Sequence, residues 1–108
     1  MNTLRAYYGE SSDYSAELEF YIRPDDKPIG QGSGYVVDSM RSARMVLQRE
    51  TSYATVIKAA IALGHDTDTT ACIAGGIAGI YYGLDAIPIS WMQALRGKEM
   101  VEPLINQL

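Results

Sequence analysis

Gly64-His65-Asp66-Thr67-Asp68-Thr69-Thr70 runs straight into Ala71-Cys72-Ile73-Ala74-Gly75-Gly76-Ile77-Ala78-Gly79-Ile80-Tyr81-Tyr82-Gly83. Two carboxylates and three Thr hydroxyls fall within five residues, and an apolar, small-residue stretch follows at once. Asp and Thr cap helices well, because a side-chain oxygen can accept a free first-turn N–H. Carboxylates there also face the positive end of the helix dipole. A cap accounts for one or two of the five oxygens. The rest fit a hard-cation site, since Mg²⁺ and similar ions take carboxylate, hydroxyl and water oxygens. Asp66 and Asp68, two apart at a loop-to-helix junction, can both turn to one side, with the Thr69 hydroxyl close by. Helix cap and cation site both remain open on the pattern alone.

Outward from this stretch the chain reads as helices. Gly64 suits the C′ position that ends a helix. The helix before it is capped by Thr51 or Ser52 and has an inner face of Tyr53, Val56, Ile57, Ala60 and Ile61. One helix stopping and another starting makes a tight corner, which brings Asp66 and Asp68 together. An earlier helix is expected over about Val36 to Gln48, with Val36, Met40, Ala43 and Leu47 inward. The helix from about Asp68 to Tyr82 is apolar nearly all round, as a central bundle helix is. Its Ala71, Gly75, Gly79 and Gly83 recur every four residues, a ridge read as packing for a close neighbour. Pro88 fits N1 of a fourth helix, with Trp91, Met92 and Leu95 inward and Gly97 as its stop. Met100, Val101, Leu104, Ile105 and Leu108 follow at helical spacing, and Pro103 requires that helix to start close before it.

Upstream, Gly30-Gln31-Gly32-Ser33-Gly34 is a glycine-rich lead into the first of these helices. It lacks the Lys of a phosphate loop and follows no clear strand. Glu17 to Arg23 alternates, with Leu18, Phe20 and Ile22 on one face, which predicts a short strand or hairpin. Pro24 to Pro28 is a turn by composition, and Asp25-Asp26 belongs to its solvated surface. Tyr7, Tyr8 and Tyr14 with Gly9, Ser11 and Ser12 suggest a short element and then a loop. The fold expected is mainly α: one small helical bundle over residues 1–108 around a central small-residue helix.

The motifs also carry a family resemblance. Gly64-x-Asp66-Thr67-Asp68-Thr69, Ala74-Gly75, Ala78-Gly79-x-Tyr81-Tyr82-Gly83-Leu84 and Ile87-Pro88-x-x-Trp91 resemble the C-terminal part of the ADP-ribosylglycohydrolase family. Gly32-Ser33-Gly34-Tyr35-Val36-Val37-Asp38-Ser39 resembles the segment before it. The likeness runs from about Gly30 onward and leaves residues 1–29 poorly matched. It implies that Asp66, Asp68 and Thr69 are ligands of a Mg²⁺ pair on the ADP-ribose side of the substrate, with Mn²⁺ a further candidate. It also puts Ser33, Gly34 and Tyr35 near the substrate cleft. One departure falls on the motif: the position of His65 is usually small in the family. His65 either points outward from the loop or alters which metal is preferred, since imidazole suits Zn, Cu, Fe and Ni better than Mg²⁺.

The resemblance further implies an N-terminal part with a Thr-Asp-Asp-Thr type motif and a Gly-Asp element, which supply the remaining ligands. This sequence contains neither. Octahedral Mg²⁺ takes about six oxygens, so two Asp and one Thr hold a metal weakly. The expectation is therefore a truncated relative, inactive alone. Its missing half would come from a second chain, or the chain would self-associate as a homo-oligomer such as a dimer, over surface left bare. The competing expectation is a non-catalytic helical module that binds or assembles.

Composition narrows the classes further. At 108 residues, 47% hydrophobic and 20% charged, the chain is an ordinary globular domain. A net charge of −4 argues against nucleic acid as a partner. The longest apolar run, Ala71 to Tyr82, has 12 residues, short of the roughly 18 that suggest a membrane span. No signal-like segment opens the sequence, and a single Cys fits a reducing compartment, so a cytoplasmic location without a membrane is expected. Cys72 is read as a small core hydrophobe, with a catalytic thiol as the alternative.

Overall fold

In the computed structural model, which describes residues 2–8 and 12–108, Ser52 opens a helix through a reciprocal capping box. Its hydroxyl accepts the Thr55 N–H, and the Thr55 hydroxyl accepts the Ser52 N–H. The helices are α1 (Asn2–Tyr8), α2 (Ser12–Ala16), α3 (Val36–Arg49), α4 (Tyr53–Ala62), α5 (Thr67–Tyr82), α6 (Ile89–Ala94) and α7 (Lys98–Ile105). No strand occurs among the described residues. The loop expected at Gly9 and Ser11 lies outside them.

The core is the wedge of α3, α4 and α5. Ala43 and Val46 from α3, Val56 and Ala60 from α4, and Ala74 and Ala78 from α5 are buried together. Small side chains let the helices come close, and α5 packs on both of its neighbours. Gly64, at φ +76°, stops α4 and turns the chain into α5.

Several expected faces are corrected. The α5 stripe that packs is Thr70, Ala74 and Ala78, one residue away from the glycine ridge. Of that ridge only Gly75 is tight: a Cβ there would lie 3.0 Å from the Ile57 Cδ1. At Gly79 it would meet Tyr53 at 4.0 Å, and at Gly83 nothing. Nor is α5 enclosed, for Ile77, Ile80 and Tyr81 face solvent. On α3 the buried side is Ser39, Ser42, Ala43 and Val46, while Val36 and Met40 are exposed. Ile61 and Leu95 are exposed too. Pro88 sits just before α6 rather than inside it, and Gly97 opens α7 instead of ending α6. Tyr53 and Trp91 meet with ring centroids 6.4 Å apart, which rests α6 on α4. Pro103 lies inside α7, and every residue from 99 to 108 is exposed.

The strand expected over residues 17–23 is a π-helical turn, Glu17–Ile22. The Arg23 N–H closes it by donating to the Leu18 carbonyl at 2.8 Å. In so wide a turn Leu18 is buried and Ile22 half-buried, while Phe20 points out. Strict alternation over so few residues also fits this wide helix, and the local chain, with no second strand to pair with, takes it.

Candidate metal and ligand site

Asp66 is the N-cap of α5. Its Oδ1 accepts the Thr69 N–H at 3.4 Å, and the Asp68 Oδ1 accepts the same N–H at 3.0 Å. The Asp66 carboxyl has Asp68 and Thr69 as its neighbours. They hold it below the usual carboxylate range, against the desolvation at this contact. Cap and cluster thus share the same atoms. Among the described residues the ion pairs are Arg5–Glu19 and Arg5–Asp25, so neither Asp66 nor Asp68 has a cationic partner. Two carboxylates that share one N–H call for a counter-charge.

Thr70 leaves this oxygen cluster. It is fully buried on the packing side of α5, and its hydroxyl finds no hydrogen-bond partner among the described residues. Cys72 is exposed, which corrects its expected core role. With Asp68, Thr69 and Ile73 it borders a hollow of about 450 Å³ that opens to solvent. His65 is exposed and left-handed at φ +55°. That backbone disfavours a β-carbon, so a small residue is the easier occupant.

The glycine-rich lead forms the second wall. A Cβ on Gly34 would lie 2.6 Å from the Asp66 Oδ2, so only glycine lets the loop rest on the carboxylate. The Asp66 N–H donates to the Gly32 carbonyl at 2.9 Å, which ties loop to helix. Three α3 side chains hold the loop from behind. The Asp38 carboxylate accepts the Gln31 N–H at 3.0 Å and the Ser33 N–H and hydroxyl at 2.7 Å each. Ser42 accepts the Gly32 N–H at 2.9 Å, and Ser39 donates to the Ser33 carbonyl at 2.7 Å. Partial burial would raise the Asp38 carboxyl, yet the bonds from Gln31, Ser33 and Gly32 hold it below its ordinary range.

The structure therefore brings Gly34 to Asp66, but it sets the other two loop candidates apart. The Ser33 hydroxyl is spent on Asp38, and the exposed Tyr35 lines a separate hollow with Phe20 and Arg41. Asp38 had no role in the sequence reading. An acid in the first turn of a helix that follows a glycine loop was the signal for it, because loop N–H groups need an acceptor.

The donor set fits a hard cation in part. Asp66, Asp68 and Thr69 offer only oxygen, one carboxyl is held toward its charged form, and glycine keeps the approach open. Among the described residues no group of three or more His, Cys, Asp and Glu is placed to hold a metal.

Residues 1–108 match the family described as ADP-ribosylglycohydrolase. The chain is 46% identical over 67 residues to ADP-ribosylhydrolase ARH3 of Homo sapiens, covering 62% of this chain and 17% of that protein. It is 35% identical over 78 residues to ADP-ribosylarginine hydrolase Tri1 of Serratia proteamaculans (strain 568), covering 72% of this chain and 21% of that one. With ARH3 of Danio rerio the identity is 50% over 48 residues, 44% of this chain and 13% of the relative. The chain thus spans well under a third of the length of these relatives. No solved structure matches it.

Proposed function

Since this chain belongs to the ADP-ribosylglycohydrolase family, we propose that it carries the metal-binding part of an ADP-ribosyl glycosidic-bond hydrolase. Asp66, Asp68 and Thr69 would hold Mg²⁺, or Mn²⁺ in its place. One observation carries this: the Asp66 and Asp68 carboxylates both accept the Thr69 N–H at the start of α5, and among the described residues neither has a cationic partner. When bound, such a cation supplies positive charge that orients and polarises an oxygen-rich ligand. The chain's own part is to fix the donors. Gly64 sets the corner, Gly34 leaves room beside Asp66, and Asp38 holds the loop. The backbone at Gly34, beside Asp66, stands as a contact for an ADP-ribose-type ligand. The names of the relatives, ADP-ribosylhydrolase and ADP-ribosylarginine hydrolase, support the bond class. The single, unpaired Cys72 and the lack, among the described residues, of a helix long and apolar enough to cross a membrane agree with a cytoplasmic setting.

Three protein oxygens leave about half of an octahedral shell to water. Binding is accordingly weak, and the chain alone does not turn over substrate. The remaining donors would come from outside residues 1–108.

Calorimetry with Mg²⁺ and Mn²⁺ tests the site. The parent should give a heat of binding that the double variant Asp66→Ala, Asp68→Ala loses. Equal heats for the two would remove the metal assignment. Release of ADP-ribose from ADP-ribosyl-arginine or ADP-ribosyl-serine by the purified chain would overturn its inactivity alone.

A further inference from the structure

Two unpartnered apolar surfaces lie on one chain. Met40, Arg44 and Leu47 of α3, with Ile77 and Tyr81 of α5, line a hollow of about 530 Å³ that opens to solvent. At the other end of the sequence, α7 and the residues after it carry Val101, Leu104, Ile105 and Leu108 at i, i+3, i+4 and i+7, all exposed. An eight-residue helix has little stability by itself, since isolated helices shorter than about 12–15 residues are marginal in water. Its apolar stripe needs a surface, and the chain's own core helices do not provide it.

We propose that the chain forms a two-fold dimer in which α7 of each copy lies in the α3–α5 groove of the other. Recognition of this kind, an amphipathic helix in an apolar groove, reads a stripe of that spacing. Charge favours the same occupant. The Arg44 guanidinium has only a 3.5 Å contact with the Arg23 carbonyl and no carboxylate partner among the described residues. Helix α7 brings Glu99 and Glu102, which form no ion pair there either. Glu102 follows Val101 directly and so borders the apolar stripe, where it can meet Arg44. Symmetry supplies the area. Stable interfaces bury about 1,200–2,000 Å² in total; a short helix in one groove covers little, and a two-fold axis makes the contact twice.

Light scattering on the parent chain and three variants tests this. Leu104→Glu spoils the helix and leaves the groove. Ile77→Glu spoils the groove and leaves the helix, and Met40→Glu repeats that arm from α3. All three side chains are exposed, and circular dichroism checks that the core stays folded. The parent should have dimer mass at micromolar concentration. Each variant should dissociate at least about tenfold more readily. An equimolar mixture of Leu104→Glu and Ile77→Glu should associate better than either alone, because one sound helix then meets one sound groove. A monomeric parent would overturn the proposal and leave the groove to the chain's own α7 or to another protein. A groove variant that stays dimeric would overturn it in favour of α7 pairing with α7. A dimeric Leu104→Glu would do so in favour of groove against groove. A mixture that gains nothing would also refute the exchange.

Discussion

The wedge of α3, α4 and α5 and the segment from Gly83 onward differ in how they satisfy their side chains. In the wedge, small residues are packed until Val56, Ala60, Ala74 and Ala78 have no exposed surface. The buried hydroxyls of Ser39 and Ser42 hold loop backbone there, one donating and one accepting. Beyond Gly83 no residue is buried, although Leu84, Ile89, Leu95 and the α7 stripe are as apolar as anything in the core. Hydrophobicity alone therefore does not separate the two regions. The wedge has partners at the right spacing and the later segment does not. The candidate site sits on the wedge side of that divide, where the backbone is held best.

The sharpest way to break the comparison is to overfill the wedge. Ala74→Leu places a large side chain at a fully buried position and should destabilise by roughly 1–3 kcal/mol in thermal or denaturant unfolding. Gly79→Leu, on the neighbouring glycine ridge, should change stability by less than about 0.5 kcal/mol. Equal losses would show that the packing stripe runs along the glycines after all.

A smaller effect should follow at Asp38. Its folded carboxyl is lowered, so the bonds it accepts stabilise the fold fully above the usual carboxylate pKa. That contribution fades as pH falls through the lowered folded value. Asp38→Asn keeps the shape but loses charged acceptance and should cost about 1–2 kcal/mol at neutral pH. It should also flatten the acid limb of the stability profile. An unchanged limb would mean that the loop is held by Ser39 and Ser42 without it.

The smallest effect concerns the corner. His65→Gly relieves a left-handed backbone and should stabilise by about 0.5–1 kcal/mol, with metal heats unchanged. Altered heats would give the imidazole a part in the site.

Local chemistry was legible in the sequence wherever one residue has one backbone consequence. Ser52 caps, Gly64 stops, and Asp66 starts the next helix as its neighbours imply. Register was harder to read. Alanine and glycine are both small, so a repeat of four residues on α5 admits two adjacent stripes, and only the partners α3 and α4 choose Thr70, Ala74 and Ala78. Leu18, Phe20 and Ile22 failed for a related reason, because six residues cannot tell a strand from a wide helical turn. At the site, the cluster of Asp66, Asp68 and Thr69 was visible as a run of oxygens. The loop that lies on it was visible only as glycines, since hydrogen bonds between distant segments leave no local pattern.

The bond from the Asp66 N–H to the Gly32 carbonyl has a bearing on exchange with solvent. Amides at a helix start have no partner within the helix and usually trade their hydrogens quickly. This one is tied to a carbonyl from far earlier in the chain. Its deuterium uptake therefore reports the docking of loop on helix and not the fraying of α5. A slow Asp66 amide beside faster amides at Thr67 and Asp68 would mark the two walls of the site as opening together, as one unit, in the rare excursions of the folded chain.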